Sequence, residues 1–208
     1  EPAAAFPDHR ESDAYDNYSL HCLITHRHSQ RPAACVRLIC ASGEQSLPIE
    51  DHCRESVYLE YLQTLEDDRD RTCEFSRLAV DPAFRRRRGE DHTRLGEYDA
   101  MDCSHQEQRT FSTIGIAAFI SALVLADLEG RPYIMGMMES NLPRLLRRSG
   151  ILVQQAGDPM EYHGQRAPYY LTTDLALDNM RDDLHILYDR LYEQLASGFN
   201  AASSVSVA

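Results

Sequence analysis

The 208-residue sequence contains no lysine and no tryptophan; all 21 of its Lys+Arg positions are arginine. Without lysine there can be no Walker-type phosphate loop, no Schiff-base lysine and no lysine nucleophile. Its six cysteines (Cys22, Cys35, Cys40, Cys53, Cys73, Cys103) form no C-x-x-C pair, and several sit inside apolar runs. That usage fits small core residues in a reducing compartment, so neither a structural disulfide nor zinc is expected. Nine histidines include His26, His28, His92 and His105, but none has zinc spacing with a third ligand, and no metal dependence is expected. No G-x-S-x-G elbow and no convincing Cys/His pair is present, so no serine or cysteine nucleophile is expected.

Long apolar runs are missing too. The longest, IGIAAFISALVLA from Ile114 to Ala126, is shorter than the roughly 18 to 20 residues of a membrane span and reads as a buried helix. The chain opens EPAAAFPDHRESD, without a basic stretch followed by an apolar one, so no signal peptide is expected and the protein is read as cytoplasmic. No internal repeat is evident.

What remains is an acidic globular chain with 43% hydrophobic residues and a formal net charge of -12. Such a charge argues against general nucleic-acid binding, because the phosphate backbone would be repelled by the average surface. Any anionic partner must be met locally. Residues 74 to 90, EFSRLAVDPAFRRRRGE, supply the obvious place, with four consecutive arginines after an apolar run.

The pattern of elements predicts an α+β domain with a mostly antiparallel sheet. A turn-rich DAYDN (Asp13 to Asn17) precedes two Val/Ile/Leu-rich strands, LHCLITH and ACVRLICA. An irregular helical stretch lies around Ser56 to Leu65, and Cys73 to Val80 is the next strand, ended with the help of Pro82. Residues 85 to 110 are charged and without periodicity, a long loop. Ser112 or Thr113 caps the apolar helix, which runs to about Glu129 and stops at Gly130. RPYIMGMME is a strand, Leu142 to Arg148 a short helix closed by Gly150, and ILVQQAGD and APYYLTT a further strand pair. Ala176 to Ala196 reads as one amphipathic helix with Leu177, Met180, Leu184, Leu187, Leu191 and Leu195 on its apolar face. This gives one domain over 1–174, a C-terminal helix over 175–197 packed on it, and a flexible tail over 198–208.

DAYDN, ACVRLI (Ala34 to Ile39) and CEFSRLAVD (Cys73 to Asp81) occur in the order D-x-Y-D, C-x-R, E-x-S-R. In this the chain resembles the acyl-homoserine-lactone autoinducer synthases. Over most of residues 10 to 180 it is more closely similar to the exosortase-associated acyltransferases and N-acyl amino acid synthases, whose E-x-S-R strand also runs into an R-R-R-x-G-E segment. The resemblance implies the fold of the GCN5-related N-acetyltransferases, with a splayed strand pair that admits the pantetheine arm of an acyl donor. It also implies site residues. Asp13, Asp16, Arg37, Glu74, Ser76 and Arg77 fall in or beside the charged cluster at the acceptor pocket; Leu78, Val80, Arg85, Arg86, Arg87, Arg88 and Gly89 form the donor strand end and its anion-binding turn; Asn141 opens a segment beside the thioester.

Three departures go with it. The family's first strand and two helices before D-x-Y-D are absent from this sequence, so either the gene product is truncated or the acceptor pocket is completed differently. Gly89 is followed by Glu90 and a long insertion instead of a second glycine. Leu146 stands where many acetyltransferases place a tyrosine general acid.

Aminolysis of a thioester needs a neutral amine, a path for its proton and donors that polarise the carbonyl. Glu74 either accepts that proton through water, as a carboxylate kept ionised by arginines and solvent, or simply pairs with Arg37 or Arg77. Strand alternation sets Glu74 and Arg77 on opposite faces unless a bulge intervenes, and Arg77 is read mainly as the partner of Asp13 and Asp16. Arg37 suits the carboxylate of an amino-acid acceptor, or a buried pair with Glu74. Met135, Met137 and Met138 line an acyl tunnel or belong to the core.

The expected function is transfer of a long-chain fatty acyl group from acyl carrier protein, through its phosphopantetheine, or from acyl-CoA, to the amine of an amino acid or related small molecule, with no bound cofactor. The alternatives are a homoserine-lactone synthase using S-adenosylmethionine and a non-catalytic domain that binds acyl carrier protein or lipid.

Overall fold

A computed structural model describes residues 11–85 and 114–205 of the chain. Seven strands form one sheet: β1 (Ser19–Thr25), β2 (Pro32–Ile39), β3 (Thr72–Val80), β4 (Tyr133–Met138), β5 (Gln154–Gln155), β6 (Met160–Glu161) and β7 (Gln165–Thr172). The order across the sheet is β1-β2-β3-β4-β7-β5, with β6 paired to β7. Every pairing is antiparallel except β3 with β4.

The helices are α1 (Pro48–His52), α2 (Leu59–Asp67), α3 (Pro82–Arg85), α4 (Ile114–Leu128), α5 (Asn141–Arg148), α6 (Thr173–Asp178) and α7 (Asp182–Val205). They cover both faces of the sheet. Leu38, Cys73, Phe75, Ile134 and Leu171 pack with α4, α6 and α7, where Phe75 meets Phe119 edge-on with ring centroids 5.1 Å apart. Ile39 and Met135 face the other way, into a second core with Leu47, Ile49, Cys53, Val57 and Leu65. Two cores on one sheet follow from strand alternation, which sends successive side chains to opposite faces.

Helix α4 is apolar nearly all round because it is buried nearly all round, from Ile116 to Ala126. Gly130, at φ +66, ends it in the left-handed conformation that a glycine adopts freely, and the Arg131 amide turns back to the Ala126 carbonyl. Buried Arg131 then donates to the carbonyls of Ala41 and Thr72, tying the start of β4 to the strands beside it.

Several expectations need correction. The C-terminal helix is broken in two at residues 179–181, because Gly150 (φ +80) brings the loop after α5 into the backbone of Asn179. Met180, Leu184 and Tyr188 still reach the core. Helix α7 runs as far as Val205. Only Gln154 and Gln155 of ILVQQAGD pair as strand. Pro82 begins the short α3 as well as following a strand end.

Candidate active site

Strands β3 and β4 pair through only three positions, Thr72 with Tyr133, Cys73 with Ile134 and Glu74 with Met135. Beyond Glu74, β3 continues six residues along β2 alone, and β4 turns to β7. Glu74 stands where the two strands part.

Its neighbours explain its state. Ile39 lies across from it on β2 and Met135 on β4, so the side chain points into the second core and is 3% exposed. Pro48 takes the first position of α1, where its missing N–H costs nothing, and the next amide, Ile49, donates to Glu74 Oε2 at 2.9 Å. Burial pushes the carboxyl up to about 8; the Ile49 amide and the Arg37 charge oppose that without cancelling it. The sequence expectation of a solvent-bathed, ionised Glu74 is therefore overturned: the site keeps it protonated in mildly acidic solution.

Arg37 does not pair with Glu74. Its Nη1 donates to Asp13 Oδ1 and Asp16 Oδ1, each at 2.7 Å, and its Nη2 and Nε reach Ser76 Oγ at 2.9 and 3.3 Å. Burial works against the guanidinium charge, but the two carboxylates more than offset it and hold Arg37 charged. Asp16 likewise lies below its usual range despite burial, helped by the Asp13 amide and by Arg37. Asp13 and Asp16 also cap the 3-10 turn Ala14–Tyr18 reciprocally.

Arg77 joins this cluster through a bulge. Arg37 pairs with Ser76, yet Cys35 pairs with Ala79, so β3 carries an extra residue there, and Arg77 has φ +51. A left-handed residue in a bulge re-aims its side chain. Arg77 Nη2 meets Asp13 Oδ2 at 2.9 Å, and Nη1 meets the Glu11 carbonyl at 2.7 Å and Asp16 Oδ1 at 3.4 Å. Both arginines are thereby occupied in locking the segment before β1 onto the sheet.

A cleft of about 1240 Å³ opens over these groups. Glu74, Ser76, Arg37 and Arg77 line it, with Leu78 and Ala79 further along β3 and Met137 on β4. Met135 and Met138 are core residues at 1% and 4% exposure, so of the three methionines only Met137 faces the cleft. Val80 packs near the first turn of α4, where a Cβ on Gly115 would meet its Cγ2 at 3.6 Å. Asn141 is exposed at the first position of α5, and Leu146 is fully buried. Arg86, Arg87, Arg88 and Gly89 lie outside the described residues, as does the side chain of Arg85.

The far wall was not foreseen from the sequence. His52 follows from α1 and stacks with Tyr162 of the β6–β7 turn, ring centroids 6.2 Å apart. The Tyr15 hydroxyl donates to Asp51 at 2.7 Å and lies 3.2 Å from His52 Nε2. Burial raises Tyr162 to about 12, so its hydroxyl stays protonated. Arg166, on β7, also lines the cleft. Tyr162 and Arg166 sit in an otherwise unremarked strand pair, and no spacing marks them before the sheet is assembled. Among the described residues no cluster of His, Cys, Asp and Glu could hold a metal ion, and no helix is long and apolar enough to cross a membrane.

By sequence, residues 1–94 match the family model of an acetyltransferase (GNAT) domain. No curated protein matches the chain. Among solved structures, the chain is similar to TofI in a ternary complex with an inhibitor and MTA, at 16% identity and TM-score 0.54, over 81% of this chain and 73% of that one. It is also similar to BjaI, a CoA-dependent acyl-homoserine lactone synthase with SAM and isopentyl-CoA, at 16% identity and TM-score 0.52 over 89% and 70%. A third likeness is to MesI, another CoA-dependent acyl-homoserine lactone synthase, at 16% and 0.51 over 90% and 75%. The fold is thus a GNAT-like α+β fold shared with acyl-homoserine lactone synthases.

Proposed function

We propose that the protein is an N-acyltransferase that moves a long-chain fatty acyl group from an acyl carrier protein or acyl-CoA thioester to the amine of an amino acid or related small molecule. The observation that carries this reading is Glu74: a buried carboxyl, raised to about 8, lining a cleft at the point where two parallel strands separate. A general base is most effective when its pKa lies near the working pH, and burial has tuned this one there.

The amine nitrogen attacks the thioester carbonyl carbon and the C–S bond breaks. The nitrogen's proton passes to Glu74, and the sulfur leaves as thiolate, to be protonated from solvent. The separated edge of β3 beyond Glu74 offers backbone amides to a pantetheine arm and to the carbonyl oxygen. Arg37 and Arg77 act as positioning residues, since their donors are taken up by Asp13, Asp16, Ser76 and Glu11. The arginine run from Arg85 to Arg88 is proposed to draw an anionic donor to an otherwise acidic chain.

A second reading, homoserine-lactone synthesis from S-adenosylmethionine, is favoured by the likeness to BjaI, whose structure holds SAM and isopentyl-CoA. Incubation with acyl carrier protein thioesters and acyl-CoA, each with amino acids or S-adenosylmethionine, separates the two by the product mass. Thiol release matched by an N-acyl amino acid supports the first reading; a lactone supports the second. Absence of thiol release with every acceptor contradicts both.

A further inference from the structure

Among the described residues three arginines line the cleft, and they are not equivalent. Arg37 and Arg77 spend their donors on carboxylates, a hydroxyl and a backbone carbonyl of the chain itself. Arg166 does not. Its Nε is buried without a hydrogen-bond partner among the described residues, and its one ion pair is a 3.5 Å contact from Nη2 to Glu139, a side chain 60% exposed. A guanidinium with a buried, unsatisfied Nε is costly to keep unless something completes its fork.

Its place in the sheet shows what could. Met137 pairs with Pro168, so Arg166, two residues before Pro168, lies on the face of Met137, and Met137 in turn shares a face with Met135, the neighbour of Glu74. Tyr162, across the β6–β7 turn, lies within electrostatic reach of both Glu74 and Arg166. Glu74 and Arg166 therefore line one cleft, a proton acceptor and a guanidinium that the described residues leave only partly partnered.

We infer that Arg166 binds the carboxylate of the acceptor, and that the acceptor is an α-amino acid whose amine is thereby turned toward Glu74. A planar guanidinium matches a carboxylate through two parallel N–H donors, and Nε with one Nη is the pair that Arg166 has to offer. Tyr162 and His163 flank the same space and give the acceptor's side chain an aromatic wall. This replaces Arg37 as the carboxylate site. The inference rests on the acyltransferase reading, and its test separates the two.

The test compares each standard L-amino acid with its decarboxylated amine, using the full chain and an acyl-CoA donor, in wild type, Arg166→Gln and Arg166→Lys. Wild type is expected to prefer the acid in kcat/KM, chiefly through KM. In Arg166→Gln that preference falls roughly 10- to 100-fold, the value of a charge-assisted pair, and Arg166→Lys restores part of it. Equal use of acid and amine by wild type, or an unchanged preference in Arg166→Gln, overturns the assignment and leaves acyl transfer standing. Should no amine be acylated, calorimetric binding of the same amino acids still decides it. Binding to wild type that Arg166→Gln loses sustains the inference, and no binding to wild type overturns it.

Discussion

Glu74 is the residue on which the proposed chemistry turns, and its environment has two separable consequences. One is for stability. Its carboxyl titrates near 8 in the folded chain against an ordinary 4.5, so between those values the unfolded chain ionises while the folded one stays protonated. The folded state loses stability as pH rises through that window, and has its full share only below it. Glu74→Gln keeps an oxygen for the Ile49 amide and removes the charge. Urea unfolding of wild type is therefore expected to weaken from about pH 5 to about pH 8 more steeply than that of Glu74→Gln. Equal slopes would mean that Glu74 is not held protonated. Asp16, whose shift is downward, works in the opposite sense: its contribution is lost as pH falls into the acid range.

The residues of this cluster were legible in the sequence because three short motifs carry them in order. Their partnerships were legible only in part: Arg77 was expected beside Asp13 and Asp16 and is found there, but the route it takes was not readable. Nothing in E-x-S-R says that Arg77 adopts φ +51, and without that bulge alternation would have separated it from Asp13 and Asp16. Nor does ACVRLI reveal that Arg37 is saturated by carboxylates arriving from the segment before β1. Arg166 and Tyr162 were invisible for a different reason, since they reach the cleft only through the β4–β7 pairing.

At the scale of elements, the strands and the apolar helix were readable from periodicity and from glycine stops, and the breaks were not. Ala176 to Ala196 has an unbroken helical stripe, but Gly150 approaches Asn179 so closely that a Cβ there would fall 2.0 Å from its carbonyl oxygen. The packing of α5 against that backbone overrides the local pattern. Gly150→Ala would meet both that clash and the φ of +80, and is expected to destabilise the chain by about 2 kcal/mol or more in chemical unfolding. Gly43, also at positive φ but with open space around it, is the control; alanine there should cost about 1 kcal/mol. Similar losses at the two positions would contradict the account of the helix break.

At the scale of the whole molecule, charge and fold divide the work. The acidic chain repels anions generally, and β3 and β4 part beyond Glu74, which lines the cleft. If Arg85 to Arg88 draw the donor, then affinity for acyl-CoA falls as salt is raised from about 0.05 M to about 0.5 M, and replacing the four arginines with glutamine flattens that dependence. A salt response identical in both proteins would assign the donor anions elsewhere.

The proposed function rests on Glu74 taking a proton from an amine in this cleft. The most direct measurement is the pH dependence of N-acyl product formation from a pre-formed thioester complex, in wild type and in Glu74→Gln. Wild type is expected to show a limb that levels near pH 8 as Glu74 ionises, and Glu74→Gln to run about 10²- to 10⁴-fold slower, keeping only the pH dependence set by the amine's own deprotonation. Product formed by Glu74→Gln at the wild-type rate, with the same pH profile, would contradict the account.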